Sequence, residues 1–156
     1  SILQHPEIVQ RNVIVVKVNE VHLWIQRLTE VYEVLGNHSI CPYAGTAKYS
    51  IIQCNLKDIV IEDTQTVQIF IVEDDCSIES MMDYRNILNR RYKDYMFLDD
   101  HRDEPTYIQG IQSNFGKGNL LICQKRDELL KARNTLHKTE YYSYWSQEMY
   151  GRIING

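Results

Sequence analysis

The side chains that could do chemistry are concentrated in two segments of the 156-residue chain. The first segment contains His38 and Cys41, and Pro42 directly follows the cysteine. A cysteine acts as a nucleophile only as the thiolate, so its surroundings must lower the thiol pKa, as the N-terminus of a helix does. We therefore predict Cys41 as a candidate catalytic residue, with His38 as a ligand-binding residue beside it. The alternative is a half-buried cysteine that packs under the proline turn.

The second segment is the charged stretch 99–104, which holds four carboxylates, one histidine and one arginine. Carboxylate oxygens and imidazole nitrogens can bind a divalent cation. We predict a metal site formed by Asp99, His101 and Asp103, with His101 also a candidate catalytic residue and Arg102 a ligand-binding residue. The spacing matches neither an EF-hand nor a metalloprotease helix. The alternative is a solvated turn whose charges pair with one another.

A glycine-rich segment, residues 109–119, supplies Ser113 and Asn114 as further candidate ligand-binding residues. Glycine loops that hold phosphates follow a strand and open a helix, whereas this segment precedes a predicted strand. It therefore favours a tight turn over a nucleotide site, and the sequence identifies no cofactor. A single pocket requires that this segment and the loops of Cys41 and His101 meet at one edge of the sheet.

The C-terminal segment is rich in aromatic residues, with four tyrosines and one tryptophan between positions 141 and 150. Tyrosine and tryptophan are enriched at protein interfaces. We predict Tyr141, Tyr144 and Trp145 as interface residues of a homo-oligomer or of a complex with a protein partner. The alternative is an aromatic helix that covers one face of the sheet.

Composition limits the class of protein. With 44% hydrophobic and 24% charged residues, 7 Gly and 3 Pro, the chain is globular in composition, not disordered or collagen-like. Its 17 Lys and Arg against 21 Asp and Glu give a net charge of −4. Nucleic-acid binding requires an excess of positive charge to neutralise phosphates, so the net charge argues against it. No apolar run approaches the roughly 20 residues of a membrane helix, so no membrane partner is predicted. The N-terminus does not resemble a signal peptide and the four cysteines have no CxxC spacing, so we predict a cytoplasmic protein with reduced thiols.

The spacing of apolar residues predicts the elements that position these side chains. Steps of three and four residues predict helices at 20–35, ended by Gly36, at 78–92, capped by Ser77, and at 125–137 and 141–150. Apolar and β-branched runs predict strands at 12–18, 47–54, 66–72, 95–98 and 119–124. This order predicts one globular α+β domain over residues 1–156, with a mostly antiparallel sheet and helices packed on one face. The first six elements match a ferredoxin-like β-α-β-β-α-β core, followed by a C-terminal β-α-α extension.

Trp24 in the first helix and the ICPYA segment at 40–44, followed by a strand, resemble an uncharacterised bacterial family over residues 24–132. Members of that family have a Trp-bearing helix and an Asn-x-Cys-Pro-Phe-Ala segment, then an aromatic-His-Pro stretch and a Ser-Pro-Tyr-Pro segment. Here a tyrosine replaces the phenylalanine, Leu98 replaces the histidine, and no proline follows Ser113. The resemblance implies a conserved soluble protein without an assigned activity.

Two functions follow from these patterns. No catalytic group of residues is complete in the sequence, so we predict a non-catalytic interaction or assembly domain that self-associates or binds a protein partner. The alternative is a small enzyme or ligand-binding domain whose pocket is built from the Cys41 and His101 loops and uses thiol-dependent or metal-dependent chemistry. Whether the protein is an enzyme stays open at this point.

Overall fold

The chain forms a four-stranded sheet with helices on both sides. The structure is a computed structural model that describes residues 15–63 and 67–155. In chain order the elements are α1 (Val18–Thr29), β1 (Val31–Tyr32), β2 (His38–Ser39), β3 (Tyr49–Cys54), β4 (Val67–Val72), α2 (Ile78–Arg91), β5 (Tyr95–Asp100), β6 (Tyr107–Ile108), β7 (Ile111–Gln112), β8 (Asn119–Lys125), α3 (Arg126–His137) and α4 (Gln147–Tyr150). Within the described residues, no helix combines the length and the apolar character needed to cross a bilayer.

The main sheet has the strand order β3-β4-β8-β5. β4 and β8 run antiparallel, as do β8 and β5, whereas β3 and β4 are parallel, with Ile51 opposite Ile69. The predicted α+β class and the mostly antiparallel sheet are therefore confirmed. The finer ferredoxin-like order is not confirmed, because β3 and β4 do not form an antiparallel pair. The connection at 55–66 has about the dozen residues that a parallel crossover requires.

Helices pack on both faces of this sheet, so the prediction of helices on one face is wrong. On one side Trp24 and Ile25 of α1 pack in a cluster with Ile69 of β4, and we name this side the α1 face. On the other side, the α2 face, Met81 of α2 packs in a cluster with Phe70 of β4. All six residues of β4 are buried, and a strand that is apolar at successive positions needs cover on both faces.

α1 is shorter than its apolar periodicity predicts. The helix ends at Thr29 because Glu30 is extended, and Val31 then pairs with Ser39 in the short β1–β2 hairpin. Gly36, with φ +64°, ends a 3₁₀ turn and not the helix. Of the strand predicted at 12–18, residues 12–14 lie outside the described residues, 15–17 form no strand, and Val18 begins α1.

The other predicted elements lie close to their expected positions. Ser77 caps α2, and its hydroxyl accepts a hydrogen bond from the backbone N–H of Ser80 at 3.0 Å. The tail predicted as one helix is instead a 3₁₀ turn (Tyr141–Tyr144) followed by the four-residue α4 and a π turn (Gly151–Asn155). It breaks because Trp145 is extended and Ser146 caps a new helical start.

Candidate functional site

A cavity of about 240 Å³ lies against the α1 face of the sheet. Its walls come from α1, the loop around Cys41, α3, the C-terminal segment and residues 104–114. Most of the lining is apolar, and its principal members are Trp24, Ile25, Leu28, Ile40, Val67, Ile69, Leu98, Ile122, Leu129, Leu136, Tyr141, Trp145 and Met149. The cavity therefore offers an apolar space lined by segments far apart in sequence.

Cys41 lines this cavity. The backbone N–H of Cys41 donates to the carbonyl of Leu28 at 2.9 Å, which fixes the loop to the last turn of α1. Burial raises the pKa of the Cys41 thiol, so the thiol is protonated at neutral pH. The helical turn that follows, Pro42–Gly45, has four residues and no long-helix dipole to offset burial. These surroundings favour a packing role for the cysteine.

His101 is buried and does not line the cavity. Its Nε2–H donates to the carbonyl of Cys76 at 2.7 Å, and its Nδ1 accepts from the backbone N–H of Asp103 at 3.0 Å. Both ring nitrogens are thus engaged by the backbone, so neither is available to a ligand or a substrate. The catalytic role predicted for His101 has no support in this geometry.

The metal site predicted at Asp99, His101 and Asp103 is not formed. Among residues 15–63 and 67–155 no group of three or more His, Cys, Asp or Glu side chains is placed to hold a metal ion. Asp99 instead forms an ion pair with Arg85, 2.8 Å apart, in which both side chains are largely buried. Asp103 is mostly exposed. Asp99 belongs to β5, which ends at Asp100, whereas His101 and Asp103 lie in the turn that follows, so the three side chains have different partners and do not converge on one point.

Two of the predicted ligand-binding residues lie outside the cavity. The Arg102 guanidinium is half exposed and pairs with Asp75 at 3.2 Å. The His38 ring packs edge-on against the Tyr141 ring, with centroids 5.8 Å apart. The two loops do approach a common cavity, but His101 and Arg102 are not the residues that reach it.

The other two, Ser113 and Asn114, do line the cavity and belong to its polar end. The Asn114 side-chain amide donates to Asp100 at 3.3 Å, and Asp100 also accepts the backbone N–H of Phe115 at 3.0 Å. The Ser113 hydroxyl bonds that of Thr106 at 2.6 Å. Burial raises the pKa of Asp100 to about 6, despite these hydrogen bonds.

The aromatic residues predicted as an interface contact the chain's own residues. The Tyr141 hydroxyl donates to the carbonyl of Ile40, and the Trp145 ring packs on that of Tyr141 at 5.6 Å. Both side chains line the cavity. Tyr144 lies beside Gly36, so close that a methyl group there would meet its ring. The aromatic tail forms a wall of the cavity.

Arg133 was not predicted as a site residue, although it lines the cavity and is only 7% exposed. It donates to the carbonyl of Ile153 at 3.2 Å and to the Met96 sulfur at 3.6 Å. Burial lowers the pKa of this guanidinium. One feature of the sequence could have indicated this residue: Arg133 falls on the same helical face as Leu129 and Leu136, where an apolar residue is expected.

Comparison with known proteins identifies no relative of this chain. No protein-family model, no curated protein and no solved structure matches it. The function must therefore be inferred from the cavity itself.

Proposed function

We propose that the protein binds a small, largely apolar molecule in the cavity on the α1 face. The observation that carries the proposal is the apolar lining assembled from α1, the Cys41 loop, α3 and the C-terminal segment. Pockets for small molecules are concave and mostly apolar, with a few polar groups that orient the ligand. Asp100, Ser113 and Asn114 supply such groups at one end.

The size of the cavity indicates the size of the ligand. A volume of about 240 Å³ exceeds the roughly 150 Å³ of an apolar cavity that holds benzene. It is slightly below the roughly 300 Å³ at which pockets for drug-sized ligands begin. A compact ligand, such as an eight-carbon chain or a substituted ring, matches this range.

Binding is favoured over catalysis by the state of the candidate catalytic groups. The Cys41 thiol is protonated at neutral pH and both nitrogens of His101 are engaged by the backbone. The self-association expected from Tyr141, Tyr144 and Trp145 is less favoured, because these side chains contact residues of the same chain. We also propose a relationship to the uncharacterised bacterial family that the sequence resembles. That family has no assigned activity, so the relationship does not identify the ligand.

Intrinsic fluorescence can test the proposal, because the only two tryptophans of the chain, Trp24 and Trp145, both line the cavity. We expect 1-octanol, a neutral apolar probe, to produce a saturable change in emission of the wild-type protein. Ala132→Phe places a ring into the cavity and should weaken octanol binding at least about tenfold, equivalent to about 1.4 kcal/mol. Leu130→Phe is the matched control, since Leu130 is on the same helix but 48% exposed.

Ala44→Leu, in the turn that follows Cys41, is a second filling variant if circular dichroism shows that Ala132→Phe does not fold. The proposal is overturned if the wild-type protein shows no saturable response. It is equally overturned if folded filling variants bind octanol as tightly as Leu130→Phe does.

A further inference from the structure

Two arginines occupy the apolar faces of helices in this fold, and they differ in one respect. Arg85 of α2 is neutralised by Asp99, at 2.8 Å, and Asn86 accepts two further hydrogen bonds from it. Arg133 of α3 has no carboxylate within ion-pair distance among the described residues. The described part of the chain thus neutralises one buried guanidinium and supplies no carboxylate to the other.

A buried guanidinium without a counter-charge is energetically unfavourable. Removing a charged group from water is unfavourable, and a well-placed opposite charge offsets that penalty. Arg133 has five N–H donors, but its side chain makes two hydrogen bonds to described residues, one of them to a thioether sulfur, a weak acceptor. An anion in the cavity would offset the penalty and use the remaining donors.

The other charged groups of the lining are already compensated. Glu104 and Arg152 form an ion pair with each other. Asp99 pairs with Arg85, and Asp100 accepts hydrogen bonds from Asn114 and from the backbone. Arg133 is therefore the position of the described lining where a ligand's charge would be complemented.

Resting on the proposed function, we propose that the ligand is an amphipathic monocarboxylate whose carboxylate pairs with Arg133. Its apolar body would occupy the space between Trp24, Ile122 and Leu129. The planar guanidinium matches a carboxylate in a two-point hydrogen-bonded geometry. One guanidinium balances one negative charge. A phosphate dianion would add a second negative charge to a cavity that already contains Asp100 and Glu104.

The test compares three eight-carbon probes that differ only in the head group, octanoate, 1-octanol and octylamine, by tryptophan fluorescence at pH 7.5. We expect the wild-type protein to bind octanoate at least about tenfold more tightly than octanol, and octylamine more weakly than octanol. Arg133→Met should abolish the preference for octanoate over octanol. Lys131→Met removes the same charge from an exposed position of α3 and should keep the preference.

The outcomes separate this inference from the proposed function. If octanol binds but octanoate binds no more tightly, or if folded Arg133→Met keeps the preference, the inference is overturned and the binding function stands. If none of the three probes binds, both are overturned. The relative affinities of the three probes for the wild-type protein test the inference even if Arg133→Met does not fold. Octylamine binding as tight as octanoate binding would contradict a cationic site.

Discussion

The indole Nε1–H of Trp24 donates a hydrogen bond to the backbone carbonyl of Ser113, 3.2 Å away and 89 positions later in the chain. The Trp24 ring also packs edge-on against Phe115, with centroids 5.9 Å apart. Trp24 and Ser113 both line the cavity. This bond therefore joins α1 to the loop that carries the polar end.

Trp24→Phe removes the hydrogen bond and part of the ring, and leaves a buried carbonyl without its donor. We expect a loss of about 1–3 kcal/mol in the free energy of unfolding. Trp24→Ala should lose about 3–5 kcal/mol, because a large cavity remains. Chemical denaturation measures both losses. Leu23→Ala, at a neighbouring position that is 50% exposed, should lose far less, and equal losses at both positions would contradict the assigned contact.

The Asp100 carboxyl makes stability depend on pH. Burial raises its pKa from 3.8 to about 6, with nearby Asp99 acting in the same direction and Arg152 in the opposite one. The folded state therefore binds the proton more tightly than the unfolded chain, and the resulting stabilisation is present below about pH 4 and lost as the pH rises through about 6.

We expect the stability difference between wild type and Asp100→Asn to change by up to about 3 kcal/mol between pH 4 and pH 7, with the wild type relatively more stable at pH 4. Urea denaturation at a series of pH values measures this difference. Asp83→Asn, at an exposed position of α2, controls for the loss of one charge. A difference that stays constant with pH would show that Asp100 does not titrate in this range.

Gly36 allows the aromatic tail to approach the β1–β2 hairpin. Its φ is +64°, and a Cβ atom there would lie 2.7 Å from Cζ of Tyr144. Gly36→Ala should destabilise the protein by about 2 kcal/mol or more, from backbone strain and from displacement of the ring. Gly151→Ala is the matched control, because Gly151 is helical with no neighbouring atom in the way. Similar unfolding midpoints for the two variants would contradict the close approach of the tail.

The Cys41 thiol should be a poor nucleophile. Because burial raises its pKa, we expect a disulfide reagent at pH 7 to modify Cys41 at least about tenfold more slowly than free cysteine. Mass spectrometry of the modified peptides identifies the site among the four cysteines. Cys41→Ala should also retain octanol binding. Rapid modification of Cys41 would instead restore the thiol chemistry that its position before Pro42 suggested.

Much of the fold was predictable because local rules decide it. The Ser77 cap defines the start of α2, and the apolar runs of β4 and β8 define strands within a residue or two. The end of α1 was not predictable, because the apolar spacing continues to Leu35 and only the pairing of Val31 with Ser39 interrupts it. The parallel direction of β3 and β4, and the packing of helices on both faces of the sheet, also depend on tertiary contacts.

The sequence could indicate loops that approach one another, but not contacts between residues distant in sequence. Cys41, Ser113 and Asn114, which the sequence suggested for one pocket, line the cavity, and their roles in it stay predictions. The metal-site prediction at His101 failed because two backbone groups, one of them 25 positions away, occupy its ring nitrogens. Arg133 was missed because the helical pattern assigns it to an apolar face, and its lack of a carboxylate partner within residues 15–63 and 67–155 becomes visible only in three dimensions.

Because helices cover both sides of the sheet, the interior has two separate halves. On the α2 face, Phe70, Phe97 and Leu121 are almost completely shielded from water, so this half is well packed. Substitutions at Ala132, Leu136 or Met149, which line the cavity on the α1 face, should therefore change the shape of the cavity and leave the packing of the α2 face intact.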